Sequence, residues 1–183
     1  MRGSELVLVL ALAGCNQVLG IDVPTDDGVP AISGTYLIGA DLRTNTTLAT
    51  VIMLTATVSY DREVSQATIV VQPLTTDSHV PTGATSNATI DVVPGDSVTF
   101  AGTGVSVLVP IDANPKGVEF SIDGSIDGVF ANETTFCGVI NGSYTLVASQ
   151  ATASLPSITL GAMKHGSPTA PVDVNCNGDT YAP

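Results

Sequence analysis

The chain has 183 residues, of which 44% are hydrophobic, and its 5 basic and 17 acidic residues give a formal net charge of −12. This hydrophobic content is too high for a globally disordered protein. The negative charge would repel nucleic acid and anionic lipid headgroups, so neither is expected as a partner. The length suits one domain of ordinary size.

The first residues have the order of a secretory signal. Arg2 gives a positive start, and an unbroken apolar run extends from Leu6 to Ala13. This run is too short for a membrane-spanning helix, which needs about 20 apolar residues. Small residues then precede a cysteine, in the manner of a signal-peptide cleavage site. We therefore predict a signal peptide over residues 1–14.

The segment Leu12-Ala13-Gly14-Cys15 resembles the lipobox of bacterial lipoproteins. The resemblance implies that the Cys15 thiol receives a diacylglycerol, that the chain is cleaved before it, and that the new amino terminus is acylated, for example with palmitate. Two or three acyl chains, at about 0.8 kcal/mol per buried CH2, hold a protein stably on a membrane. Asn16 stands where an aspartate would favour the inner membrane, which points to the outer membrane of the bacterial cell envelope. The alternative is an ordinary secretory signal with an incidental cysteine.

Cys137 and Cys176 are the other two cysteines of the chain. Two cysteines in an exported protein are best explained as one disulfide bond. The bond would close a loop of about 40 residues and stabilise the fold by roughly 3–4 kcal/mol on the chain-entropy argument. A metal-binding pair is disfavoured because no nearby histidine completes a ligand set. Pairing between two molecules is a minor alternative.

Three segments follow the signal peptide. Residues 15–32 contain Pro, Gly and acidic residues without periodicity, which predicts a lipid-anchored tether. Residues 33–161 carry strand patterns almost throughout and are predicted to form one β domain. Residues 162–183 are rich in Gly, Pro, Asn and Asp. This tail is expected to bury little and to be held on the Thr135–Ile140 strand by Cys176.

The β domain shows alternation of apolar and polar residues rich in Val, Ile and Thr, which is typical of half-buried strands. The alternation is clearest over Leu48–Tyr60, where one face is apolar and the other grades from apolar to polar. Pro94-Gly95-Asp96 predicts a turn, and Asp123-Gly124 and Asn141-Gly142 predict tight hairpins. Nine to eleven short strands result.

The end of the domain is less regular. No segment has helical periodicity over ten residues, and Gln150–Ser154 is at most a helical turn. Ile158 and Leu160 are expected to close the sheet. Short connections force neighbouring strands to be antiparallel. The predicted fold is therefore all-β, a single antiparallel domain forming a barrel-like meander, with a two-sheet β-sandwich as the alternative. Ile32-Ser33-Gly34-Thr35-Tyr36 resembles the Gly-x-Trp opening of lipocalin-like barrels, although the chain has no tryptophan.

Two stretches resemble calcium-binding loops, in which alternate oxygens face one cation and a glycine permits a sharp turn. They are Asp123–Gly128, with the sequence D-G-S-I-D-G, and Asp173–Gly178, with D-V-N-C-N-G. The full motif needs a bidentate acid at its twelfth position. The first stretch has Thr134 there, and for the second that position lies beyond Pro183. A hairpin therefore explains the first stretch better, and we predict no metal site.

No catalytic residue or cofactor is predicted either. His79 and His165 are the two histidines, and they lie in a polar loop and in the tail, where histidines are ordinarily solvated. The chain has no G-x-S-x-G, H-E-x-x-H, P-loop or dinucleotide motif. Carboxylate pairs such as Asp123 with Asp127 could serve glycoside hydrolysis only if the fold brought two of them into a cleft.

These observations favour a lipid-anchored cell-envelope protein with a structural or partner-binding role and no catalysis. Its expected partners are the membrane, through the lipid on Cys15, and an envelope protein. The alternative is a lipocalin-like carrier that encloses a small apolar ligand, which would need a continuous interior cavity of about 300 Å3 or more. A third hypothesis is a hydrolase with two acids within about 5–10 Å of each other in a cleft.

Overall fold

The computed structural model describes residues 28–45, 47–164, 166 and 171–182. Within them, eight antiparallel strands form a closed barrel in which each strand pairs with the next and the last pairs with the first. The predicted barrel-like meander is confirmed, and the alternative sandwich is wrong. The strands are Gly34–Asp41 (β1), Val51–Asp61 (β2), Gln66–Pro73 (β3), Ser86–Val93 (β4), Val98–Val109 (β5), Phe120–Phe130 (β6), Thr135–Leu146 (β7) and Ala151–Lys164 (β8).

Two smaller elements accompany the barrel. A 3-10 helix, Ile111–Ala113, follows β5. A two-stranded hairpin of Val172–Asp173 (β9) and Thr180–Tyr181 (β10) lies near the end of the chain. Among the residues that the structure describes, no helix is long and apolar enough to cross a membrane.

Period-two alternation decides which side chains fill the barrel. On β1 and β2, Ile38, Ala40, Leu54 and Ala56 belong to the main core cluster and are at most 7% exposed. The residues between them point outward, because successive side chains on a strand face opposite sides. The interior of an eight-stranded barrel is narrow enough for side chains to fill it, and here aliphatic and aromatic residues do so.

The end of the barrel domain is more regular than expected. The predicted helical turn at Gln150–Ser154 is wrong, because β8 begins at Ala151, which pairs with Leu146 of β7. Its later residues pair with β1, as in the register match of Leu160 with Ala40. The prediction that this segment closes the sheet is confirmed for Leu160 in this ladder, which joins the two ends of the barrel chain, whereas Ile158 pairs with Ile140 of β7.

The two predicted hairpins at Asp123-Gly124 and Asn141-Gly142 are also wrong. Both dipeptides lie inside long strands, β6 and β7, and Gly124 faces Gly142 across the ladder. A Cβ atom on either glycine would collide with the backbone of the opposite strand. These glycines therefore permit a close approach of two strands, which is the other common use of glycine in a sheet. The predicted turn at Pro94-Gly95-Asp96 is confirmed between β4 and β5.

An aromatic cluster closes the barrel at the end where β1 begins. The ring of Phe136 lies 5.0 Å from Tyr36, 5.7 Å from Phe100 and 5.3 Å from Phe130, measured between ring centroids. The Tyr36 hydroxyl donates to the carbonyl oxygen of Ile32 at 2.7 Å, and Ile32 is fully buried. Burial raises the pKa of Tyr36 to about 12. This end is thus filled and tied to the segment that precedes β1.

The opposite end is closed by the loop between β1 and β2. Leu42 and Leu48 in this loop are each 1% exposed. The side-chain oxygen of Asn45 accepts the backbone N–H groups of Thr47 and Leu48, both at 2.9 Å. Asn45 therefore fixes the loop so that its two leucines cover the core.

The tail forms a strap, residues 171–182, on the outer wall of the barrel. Val172 and Val174 are fully buried, and Val172 joins Leu37, Met53 and Leu74 in a second apolar cluster. The backbone of Asp173 lies so close to Gly161 that a Cβ atom there would collide with it. The expectation that the tail buries little is therefore wrong. The strap also explains why the outward-facing Met53 and Leu37 are apolar.

Candidate functional site

The predicted disulfide is present and holds the strap. The Cys137 and Cys176 sulfur atoms are 2.04 Å apart, with a Cα separation of 5.2 Å. Cys137 lies on β7 and Cys176 in the loop between β9 and β10. The bond therefore crosses from the barrel wall to the strap, as the sequence predicted. The lipobox and Cys15 lie outside the described residues.

The barrel interior contains a small cavity. Its volume is about 50 Å3, far below the 300 Å3 expected of a carrier. One water molecule needs about 10–15 Å3 by this kind of measure, so the cavity holds about four groups of that size. Its lining is apolar almost throughout and includes Ile69, Ile90, Val105, Val107 and Phe136.

The wall beside this cavity is incomplete. Between β4 and β5 the ladder has only three residue pairs, from Asp91 with Ala101 to Val93 with Thr99. Residues 86–90 of β4 and 102–109 of β5 continue alongside without register partners across this junction. The cavity is lined here by residues 86–88 of β4 and 105–107 of β5, and we call the strip between these two segments the β4–β5 slit. A β-bulge at Gly104, whose φ is +71°, bends β5 where the slit begins.

The slit connects the inside of the barrel with its surface. Asn87 and Ala88 line both the interior cavity and a shallow outer depression of about 480 Å3. The depression is polar and is also lined by Gln66, Thr89 and Asp91. The Gln66 side-chain amide donates to the Asp91 carboxylate at 2.8 Å. The slit therefore has an apolar inner part and a polar outer part that meet at Ala88.

A second surface feature lies next to the strap. A groove of about 140 Å3 is lined by Leu37, Thr55, Leu74, His79 and Pro81, among others. His79 has a φ of +52°, an uncommon conformation for a residue other than glycine. No carboxylate lines this groove within the described chain, so it offers His79 no acidic partner.

The carboxylates considered for hydrolysis or calcium binding lie on the outer wall. Asp123 and Asp127 are exposed on the continuous strand β6, and an extended strand lacks the sharp turn of a calcium loop. Asp123 accepts hydrogen bonds from the hydroxyls of Ser106 at 2.7 Å and Ser121 at 3.3 Å. Among the described residues, no group of three His, Cys, Asp or Glu is placed to hold a metal ion.

The second calcium-like stretch forms the loop of the strap. The side-chain oxygen of Asn175 accepts the backbone N–H groups of Asn177 at 2.8 Å and Asp179 at 3.2 Å. The Asn175 amide donates to the Asp179 carboxylate at 2.7 Å. These oxygen atoms hold the loop that carries Cys176, which gives the stretch a structural explanation.

The slit was missed by sequence reasoning, although one signal was present. The alternation in β5 breaks at Gly102-Thr103-Gly104, a pattern that by itself also fits a boundary between two strands. The break is instead the bulge within one strand. No protein-family model, curated protein or solved structure matches the chain.

Proposed function

We propose that this protein is a lipid-anchored cell-envelope protein whose barrel has a structural or partner-binding role without catalysis. The observation that carries the proposal is the filled interior, in which a cavity of about 50 Å3 leaves no room for a large ligand. A barrel that encloses little is suited to act through its outer wall, its loops or its attachment.

The outer wall supports a role that does not involve catalysis. Asp91, Asp123 and Asp127 are exposed on strands. Asp91 accepts a hydrogen bond from the Gln66 amide, and Asp123 accepts one from the Ser106 hydroxyl. A carboxylate pair in a cleft, which two-acid hydrolysis needs, is not formed by Asp123 and Asp127. The net charge of −12 favours partners with a basic surface.

The anchor places a limit on where the barrel can act. Twelve residues lie between Cys15 and Gly28, the first described residue, and an extended chain over this interval reaches about 45 Å at most. A lipid on Cys15 would thus keep the barrel near the membrane surface. Ile32 then enters the barrel end that the aromatic cluster closes.

Metabolic labelling tests the anchor. Cells expressing the full chain or Cys15→Ser are grown with radiolabelled palmitate and fractionated. We expect label and outer-membrane location for the full chain, and loss of both for the variant. The paired variant Cys137→Ser with Cys176→Ser should keep the label, because it leaves the lipobox intact. An unlabelled full chain released into the medium would contradict the proposal.

The partner-binding role needs its own experiment. Crosslinking in cells, from a photoreactive residue placed at Thr152 on the exposed start of β8, should give a discrete product of higher mass. The same residue placed inward at Ile158 is the control. A chain that gives no discrete product from Thr152 or from further outward positions on β6 and β7 would contradict partner binding.

The carrier remains a second candidate because the cavity lining is apolar. Its volume is unsuited to a lipocalin-sized ligand. Native mass spectrometry of the purified protein separates the two proposals. A stoichiometric small molecule that leaves on unfolding would support the carrier, and the bare mass would support the partner-binding role.

A further inference from the structure

We propose that the β4–β5 slit is a binding site for a small cationic amphiphile, with its alkyl chain inside the barrel and its ammonium group in the outer depression. The site does not depend on the lipid anchor or on an envelope partner. The proposal rests on an apolar cavity that lies directly beside a polar depression containing Asp91. Asn87 and Ala88 line both of them.

The route into the cavity runs through the wall. Both barrel ends are closed, one by the aromatic cluster and the other by Leu42 and Leu48. At Gly102 the two strands still touch, since a Cβ atom there would lie 2.9 Å from the Thr89 carbonyl oxygen. At Gly104 a Cβ atom would meet nothing within 4 Å. The lining of the cavity includes Asn87 and Ala88 of β4 and Ser106 of β5, so the opening lies beyond the bulge, beside Ala88.

The inner part of the slit selects an alkyl chain. Ala88 is half-buried and faces inward, in the same alternation as the buried Ile90. Val105 and Val107 occupy the inward positions of β5 after the bulge. A cavity for about four water-sized groups accommodates a chain of about four or five carbons. A longer lipid tail does not fit this volume.

The outer part selects the charge of the head group. Asp91 lies in the depression, and Asp123 lies next to the opposite rim, where it accepts the Ser106 hydroxyl at 2.7 Å. No lysine or arginine lines the cavity or the depression within the described chain. An ammonium group finds carboxylate and amide oxygens here, whereas a carboxylate head group meets only like charge.

The first experiment titrates the folded protein, labelled with 13C at its Ile, Leu and Val methyl groups, with n-pentylammonium. We expect saturable shifts at Ile90, Val105 and Val107, with a dissociation constant in the millimolar range or tighter. Pentanoate, which has the same chain length and the opposite charge, should bind at least tenfold more weakly. Equal binding of pentylammonium and pentanoate, or no shift at these methyl groups, would overturn the proposal.

Blocking variants locate the site. Ala88→Phe places a ring at the mouth of the cavity and should abolish the shifts, while Ala153→Phe, at an exposed alanine of β8, should leave them unchanged. Ser106→Phe on the opposite rim is a second blocking variant, should Ala88→Phe fail to fold. Asp91→Asn should weaken binding of pentylammonium several-fold without changing that of pentanol. Undiminished binding to a folded blocking variant would refute the site.

Discussion

The barrel has two junctions on opposite sides, and they are built in opposite ways. Where β1 meets β8, six residue pairs join the strands and the strap covers the outer wall. Where β4 meets β5, three pairs join the strands and the outer wall is a solvent-open depression. The same closed barrel thus contains one junction reinforced by the strap and one junction with few paired residues.

The difference shows that a barrel can close without the same number of paired residues at every junction between neighbouring strands. The β1–β8 junction joins strands that are far apart in the sequence, so its formation carries the largest loop-closure cost. Packing of Val172 and Val174, together with the disulfide, adds stability at this junction. The β4–β5 junction joins neighbours through a short turn and forms with less support.

Hydrogen exchange should give the largest contrast between the junctions. Amides of residues 86–90 and 102–108 that are not bonded in the β3–β4 or β5–β6 ladders should exchange through local opening. Amides of the β1–β8 ladder should require an opening free energy that is larger by about 3 kcal/mol or more, because they open only with most of the fold. NMR-detected exchange measures both sets in one sample. Equal opening free energies for the two sets of amides would show that the two junctions do not differ in local stability.

Removal of the disulfide should weaken the reinforced junction. Cys137→Ser with Cys176→Ser releases a covalent link across 39 positions of the chain. We expect the free energy of unfolding to fall by about 2–4 kcal/mol, because the unfolded chain regains the entropy of that loop. Urea denaturation measures the change. Proteolysis should cut the strap first in this variant, whereas cleavage in the barrel would indicate a wider effect.

Gly161→Ala tests the packing of the strap separately from the disulfide. The new methyl group would overlap the backbone of Asp173, so the strap must move away from β8. We expect a loss of about 1–3 kcal/mol with the disulfide intact, which is typical of overpacking. Gly95→Ala is the matched control, since its methyl group would meet only the Ser97 carbonyl oxygen at 3.5 Å. Similar losses in both variants would mean that the strap is not the cause.

Tyr36→Phe should have the smallest effect at neutral pH. Tyr36 pairs with Lys164 in the reinforced junction, and loss of its hydrogen bond to Ile32 should cost about 1 kcal/mol. Burial raises the pKa of Tyr36 to about 12 from 10.0. Its contribution is therefore complete below pH 10 and is lost as the pH rises from about 10 toward 12.

The pH dependence provides the check on Tyr36. Urea denaturation at pH 8 and at pH 11 should show a smaller alkaline loss of stability for Tyr36→Phe than for the unaltered chain. An identical alkaline loss in Tyr36→Phe would show that Tyr36 ionises in the folded protein without cost.

Much of this architecture follows from the sequence because it depends on local patterns. Alternation over β1 and β2 indicates extended chain with one apolar face, and short turns force antiparallel neighbours. Because the chain has two cysteines besides Cys15, the bond between Cys137 and Cys176 could be predicted from the cysteine count. The sequence also shows apolar residues on the second face of Leu48–Tyr60, but it does not show which part of the chain packs on them.

Only the tertiary structure decided the rest, because it depends on contacts between distant parts of the chain. Gly124 and Gly142 have the local signature of hairpin turns, yet each is needed because the other strand passes close to it. Val172 and Val174 lie in a segment of loop-like composition and become buried only because Gly161 lets the backbone approach. The slit likewise depends on where the pairing of β4 with β5 ends, at Asp91 with Ala101, and on the bulge that follows at Gly104. Composition and periodicity determine which segments are strands, whereas register and packing determine where the wall is covered and where it opens.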